Sequence, residues 1–353
     1  MTRFPTRSLM LVFAAASLAP MALLAAGLSG GWGWFLAALL YVGGFAALLD
    51  RILPHLLLEA PEGAEFPGSD ALLVVLALAH LTLWPVAVAV IAGRTGFGPA
   101  GGILAFFAFG LTFGQISNPV AHELIHRSDR RLFWLGVAVY ASMLFAHHAS
   151  AHRLVHHVHV ASDGDPNSAY RGETVWQFLP RAWIGSFRAG YAAEVRLRRG
   201  RGLHPYAIYL GLSGLSLILS AVVAGWIGLA VHLALALHVT SQLLISDYVQ
   251  HYGLRRAVRR DGRLEPVGDR HSWNAPQWFS GKMMLHAPRH SDHHAHPSRP
   301  YPGLRLPGDA PMLPRGLPLM GALALIPPLW FRVMDRRLAR LASRESDGTG
   351  LAP

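Results

Sequence analysis

Nine of the chain's 20 histidines fall in four places, three tight groups and one single residue. His122 and His126 stand i, i+4 in His122-Glu123-Leu124-Ile125-His126. His152, His156 and His157 follow at i, i+4, i+5. His251 sits in Gln250-His251-Tyr252-Gly253. His290, His293 and His294 are spaced i, i+3, i+4. Residues four apart share a helix face, so two imidazoles can reach one ion. Neutral imidazole suits zinc, copper, iron and nickel. Zinc is satisfied by about four ligands, so nine nitrogens fit two metals with about four or five each. Two redox metals beside a membrane point to oxygen activation. Soluble di-iron proteins use Glu and Glu-x-x-His in a helical bundle; that carboxylate pattern is missing here, which makes this a histidine-rich alternative. Glu123, Asp247 and Asp292 are candidate acceptors that would orient ligand N–H groups. His147, His148, His159, His286 and His296 stand close by, and spacing does not sort ligand from support.

Elements must place those groups. Of the 353 residues, 52% are apolar and only 14% are charged, against roughly 25% charged in an average soluble domain. The apolar residues come in long runs, which argues against a disordered chain or a soluble enzyme. A crossing helix needs about 20 apolar residues. Six stretches qualify, at about 9–28, 32–49, 71–92, 99–120, 206–224 and 226–245. They pair as hairpins through Ser29-Gly30-Gly31, 93–97 and the region of Gly225. The expectation is an all-α integral membrane protein, a single catalytic domain over 1–353, with polar segments at 121–205 and 248–353. Those connectors hold one cation, Arg94, of the chain's 31 Lys and Arg. The rest lie on or near the opposite side, which the positive-inside rule makes cytoplasmic, with both termini. The +11 net charge is then a topology signal rather than a nucleic-acid footprint.

Two shorter apolar stretches are not read as spans. The first, 132–146, would separate histidine groups that share a site. The second, 317–330, is interrupted by Pro327-Pro328. If it spanned, it would carry Arg332, Arg336, Arg337, Arg340 and Arg344 across; it reads as interfacial or re-entrant. Arg3 and Arg7 precede the first span, but its length and the span that follows favour a retained helix over a signal peptide. The lone histidines His80, His232 and His238 read as hydrogen-bonded groups within helices. His55, His204 and His271 read as surface or interfacial.

The chain has no cysteine. That excludes disulfides, iron–sulfur clusters, thiolate-bound haem and cysteine nucleophiles.

These residues resemble the membrane alkane 1-monooxygenase family, within the histidine-rich desaturase and hydroxylase superfamily. The resemblance rests on His-Glu-Leu-Ile-His-Arg at 122–127, His152-x-x-x-His156-His157, His251-Tyr252-Gly253 and Arg-His-Ser-Asp-His-His-Ala-His-Pro at 289–297. Ser272-Trp273-Asn274 and Arg299-Pro300-Tyr301 belong to it too, and it runs from about residue 50 to 305. It departs at Asp247 and Gln250, where the family has Asn and Glu, and at Ala287-Pro288, where the family has Leu-Gln. The resemblance implies six spans and a cytoplasmic non-haem di-iron centre. It also implies terminal hydroxylation of medium- or long-chain alkanes. The nine ligands it implies are the nine histidines grouped above.

Electrons must then come from outside, because the chain carries neither a rubredoxin centre nor a flavin or nicotinamide fingerprint. The expected partner is a rubredoxin- or ferredoxin-type donor with its reductase. Arg255, Arg256, Arg259, Arg260 and Arg263 form a candidate dock, or an anchor for anionic lipid. Trp84 and Phe113 are candidate limits on chain length. A desaturase or a hydroxylase of fatty-acyl, aromatic-methyl or terpenoid substrates would share the same metals. An intramembrane zinc protease would use His122, His126 and Glu123 but leave the other histidines idle. A metal transporter would place its ligands in mid-span.

Overall fold

The computed structural model describes residues 6–53 and 59–348, with side chains to residue 343. His55 and Arg3 lie outside the described residues, as does the side chain of Arg344. The chain is all-helical; the described residues hold two isolated β-bridges and no sheet. Five helices are long and apolar enough to cross a membrane: α1 (Thr6–Gly30), α2 (Gly33–Ile52), α3 (Ser69–Ile91), α4 (Gly98–Ile125) and the 47-residue Pro205–His251.

The last of these is two helices. At about 1.5 Å per residue, 47 continuous residues would reach about 70 Å, more than twice the hydrocarbon core. The run breaks at Ala224 (φ −145°, ψ 20°) and Gly225 (φ 63°, ψ −146°), the second a conformation open essentially to glycine alone. Ser220 Oγ and His232 Nδ1 then lie 2.7 Å apart. In an unbroken helix, residues 12 apart would be about 18 Å apart along the axis. The chain therefore folds back on itself at 224–225, and six apolar helical segments result.

Their short connectors gather at one end of the molecule. Arg94 donates to the Ala224 carbonyl (3.4 Å), and Phe35, just after the first turn, packs edge-on against Phe97 (5.5 Å). The histidine groups lie at the other end.

Between 130 and 198 the chain forms α5 (Arg130–Ser142), the helical stretch α6 (148–159) and α7 (Val175–Arg198). Asp129 caps α5 through the Arg131 N–H (2.7 Å). A capping box of Thr174 and Gln177 starts α7. α5 packs on α3, on the end of α4 and on the Pro205–His251 segment, so it is a core element although too short to span. Beyond His251 come Trp278–Met283, His290–Ala295, Leu317–Ala324 and Pro327–Gly348. Asp50, at the end of α2, accepts from the Phe279 and Ser280 N–H groups (3.0 and 2.9 Å) and ties this segment to the bundle. Leu317–Ala324 packs against the Pro205–His251 segment. Pro327 and Pro328 open the next helix, where proline's missing N–H is harmless.

Candidate metal centre

The helix ends bring all nine histidines together, in two groups. His122, His126, His152, His157 and His293 form one; His156, His251, His290 and His294 form the other. Within each group, one ring nitrogen per residue lies within 4.8 Å of all the others.

Local backbone decides the sorting. His122 and His126 sit on one face at the end of α4. Residues 152–156 form a π-helical turn, whose wider i, i+5 repeat sets His157 beside His152 (Nε2–Nε2 2.9 Å) and turns His156 to the other group. On His290–Ala295, the i, i+4 pair His290 and His294 stays together (3.1 Å), while His293 meets His157 (3.1 Å). His251 closes the second group on His290 (3.0 Å).

These contacts are poor as hydrogen bonds. Each imidazole nitrogen offers one proton or one lone pair, yet His152 Nε2 meets both His122 Nε2 (2.8 Å) and His157 Nε2. His290 Nε2 likewise meets two others. His126 Nε2 and His156 Nε2 are buried with no hydrogen-bond partner among the described residues. A metal in each group would use all of these lone pairs. Nitrogens about 2.1 Å from one ion and at right angles would be about 3.0 Å apart, whereas tetrahedral zinc would set them about 3.4 Å apart. The 2.8–3.1 Å contacts match the first spacing. Burial, then mutual repulsion, holds His152, His157, His290, His293 and His294 well below the usual histidine pKa. They are therefore neutral and ready to bind metal. The donor set fits metal ions with more than four nitrogens between them.

The carboxylate behind an imidazole is Asp165, whose Oδ2 is 2.8 Å from His156 Nδ1. Burial lowers the His156 pKa, but Asp165 outweighs it and the net shift is upward. Ser168 and the Asn167 N–H hold Asp165 in turn (2.6 and 3.0 Å). Sequence spacing does not single it out, because nothing in the sequence shows the loop folding back onto His156. Glu123 faces Arg127 (3.5 Å), Asp247 accepts from Asn167 (2.7 Å), and Asp292 takes Arg299, His296 and the Arg305 N–H. None of the three hydrogen-bonds any of the nine imidazoles among the described residues. For Glu123 helical spacing contributes, since it lies about 100° around the helix from His122. What weighs against a zinc protease is the seven further histidines gathered beside His122 and His126, more than one zinc needs.

The neighbouring histidines have separate places. His286 bonds Lys282 and the Tyr301 carbonyl (2.6 and 2.9 Å). His147 reaches Ser186 (3.4 Å), and His296 reaches Asp292. His159 is exposed. His80 is bonded at both nitrogens, to Ser117 and Ser142 (2.9 and 2.8 Å). His271 is buried rather than at the surface, held by Glu265 (3.0 Å).

A cavity of about 400 Å³ opens onto the centre. His122, His152 and His290 line it, so it touches both groups, and it runs between α4 and the 226–251 helix to Leu111 and His238. Leu317, Gly321 and Leu325 close one side, which gives the stretch at 317–330 a role as a wall. Trp84 and Phe113 are not on that wall. They stack on each other in the core (5.5 Å, 25°). Bulk along the cavity is set by close approaches such as Gly114, where a Cβ would fall 2.1 Å from Gln242 Oε1.

A fatty acid desaturase family model matches residues 97–319. Alkane 1-monooxygenase 1 of Pseudomonas aeruginosa is 35% identical over 321 residues, covering 86% of this chain and 83% of the relative. Alkane 1-monooxygenase 2 of Alcanivorax borkumensis is 30% identical, covering 90% and 85%. The hydroxylase component of a xylene/toluene monooxygenase from Pseudomonas putida is 28% identical, covering 66% and 65%. With its paired histidine groups at the end of an apolar cavity, the chain belongs to the alkane 1-monooxygenase family of oxidoreductases, within the fatty acid desaturase and hydroxylase superfamily.

Proposed function

We propose that this chain is a multi-pass, inner-membrane di-iron monooxygenase that hydroxylates the terminal carbon of medium- or long-chain alkanes. The observation that carries the reading is the cavity ending on His122, His152 and His290, nitrogens from both groups. His122, His126, His152, His157 and His293 would hold one iron, and His156, His251, His290 and His294 the other. Two irons there supply the redox chemistry for reducing dioxygen and oxidising an unactivated C–H bond. The protein's share is placement. The cavity walls exclude water and steer a chain end toward the imidazoles, and Asp165 fixes the His156 ring. The hairpin at 224–225 and the arginine distribution support a reading of six crossings with the histidine end cytoplasmic.

Electrons come from a separate rubredoxin- or ferredoxin-type carrier with its reductase, as a chain without cysteine requires. Arg259, Arg260 and Arg263 are exposed on a hairpin closed by Arg259 N–H to Arg263 O (2.8 Å), and they are the docking cations. Arg255 and Arg256 have inward tasks. Arg255 covers the Tyr170 ring (4.4 Å), and Arg256 donates to the Val158 carbonyl (3.0 Å).

Metal analysis of the purified chain together with product analysis tests this reading. About two irons per chain and 1-alkanol from deuterated alkane, in membranes with donor, are expected. One zinc with negligible iron would end it. Product from fatty-acyl or methyl-aromatic substrates alone would keep the metal centre and move the substrate.

A further inference from the structure

His148 belongs to neither histidine group, yet it faces the same space. It lines the cavity and is 1% exposed. Its ring stacks on Phe145 (5.3 Å, 27°), lies tilted against His152 (4.8 Å, 32°) and meets Tyr140 edge-on (5.1 Å, 68°). Neither of its ring nitrogens has a hydrogen-bond partner among the described residues. The contrast with His80, satisfied at both nitrogens within the bundle, is direct. Whichever tautomer it holds, neutral imidazole offers one donor and one acceptor, and leaving both bare in a buried site is costly. An alkane can satisfy neither. The hydroxylated chain can, because its oxygen sits on the carbon nearest His122 and His152, which is where His148 stands.

We propose that His148 is an oxygen seat. It hydrogen-bonds the hydroxyl of a chain whose terminal carbon lies beside the imidazoles, so the cavity binds primary alcohols more tightly than alkanes of equal length. The seat deepens the hydroxylase reading and rests on it for the orientation of the chain. It makes the enzyme a holder of its own product. A site built around a hydroxyl discriminates against an analogue lacking one, because the buried polar group is then left unpaired.

Equilibrium binding of 1-octanol and of 1-fluorooctane, nearly equal in size but without the O–H, to the iron-loaded full chain in nanodiscs tests this, with empty nanodiscs as background. The wild-type chain should bind the alcohol about fivefold more tightly, the effect of one neutral hydrogen bond. His148→Phe keeps a flat ring against Phe145 and His152 and should abolish the preference while retaining bound iron. His148→Gln, with an amide donor and acceptor, should restore part of it. Equal binding of the two ligands by the wild-type chain would overturn the seat and leave the nitrogens to water. Persistence of the preference in His148→Phe would overturn it as well, and so would loss of iron in both variants, which would make His148 a brace for the metal ligands. Octane turnover is scored separately. A chain that binds alcohol as expected but hydroxylates no alkane keeps the seat and loses the proposed reaction.

Discussion

His156 shows how much one side chain's partner decides. It lies between two residues of the other histidine group in sequence, yet the π-helical turn at 152–156 sends it to the second group, and Asp165 holds it there at 2.8 Å. A carboxylate behind a metal-binding imidazole fixes its tautomer and raises its basicity, and losing it weakens metal affinity by about 10- to 100-fold. Asp165→Asn is therefore expected to lower bound iron from about two per chain toward about one, because only the second group loses its support. Metal analysis after controlled dialysis reads this directly; equal loss from both groups would show that Asp165 acts on the fold instead. Glu123→Gln should leave iron content unchanged, since its carboxylate faces Arg127.

At the scale of elements, the hairpin at 224–225 decides how many times the chain can cross a bilayer. Gly225 sits at φ 63°, ψ −146°, where a side chain is strained whatever the space around it. No heavy atom lies within 4 Å of the place its Cβ would take, so the penalty is conformational rather than steric. Gly225→Ala is expected to destabilise the bundle by about 1–3 kcal/mol, measured as a lower unfolding midpoint in detergent. A substitution without effect would mean the turn is held by something other than its backbone. The hairpin matters for function as well, because the helix that leaves it carries His238 and Gln242 along the cavity and ends on His251.

For the whole molecule, charge and hydrophobicity divide the protein into two ends. The connectors near Arg94 are almost free of cations, while the histidine end carries the arginines. An acidic electron carrier would be drawn to that end by long-range attraction, which salt screens over about 10 Å at 0.1 M. Reversing Arg259, Arg260 and Arg263 together to Glu is expected to raise KM for the donor about tenfold at low ionic strength, and the difference from wild type should shrink as salt rises. Alkane KM and bound iron measured on the same preparations separate a docking effect from a damaged centre. If donor KM does not respond, the arginines serve topology and lipid contact alone.

The sequence by itself determined the chemistry and much of the architecture. Eight imidazoles repeat at helical spacings and His251 makes a ninth, a set large enough to hold two metals. Long apolar runs can exist only as helices in a bilayer, because every backbone polar group must be satisfied within the segment. The turn at Gly225 was legible for the same reason. What only the tertiary structure decided was the pairing. Periodicity treats His152 and His156 as neighbours, but a local π turn separates them. Glu123, Asp247 and Asp292 stand beside ligands in sequence but pair with other groups, while Asp165 arrives from a loop. Trp84 and Phe113 carry no mark that distinguishes a buried core ring from a cavity wall. Such assignments depend on which faces of distant helices meet, and a one-dimensional spacing does not contain that information.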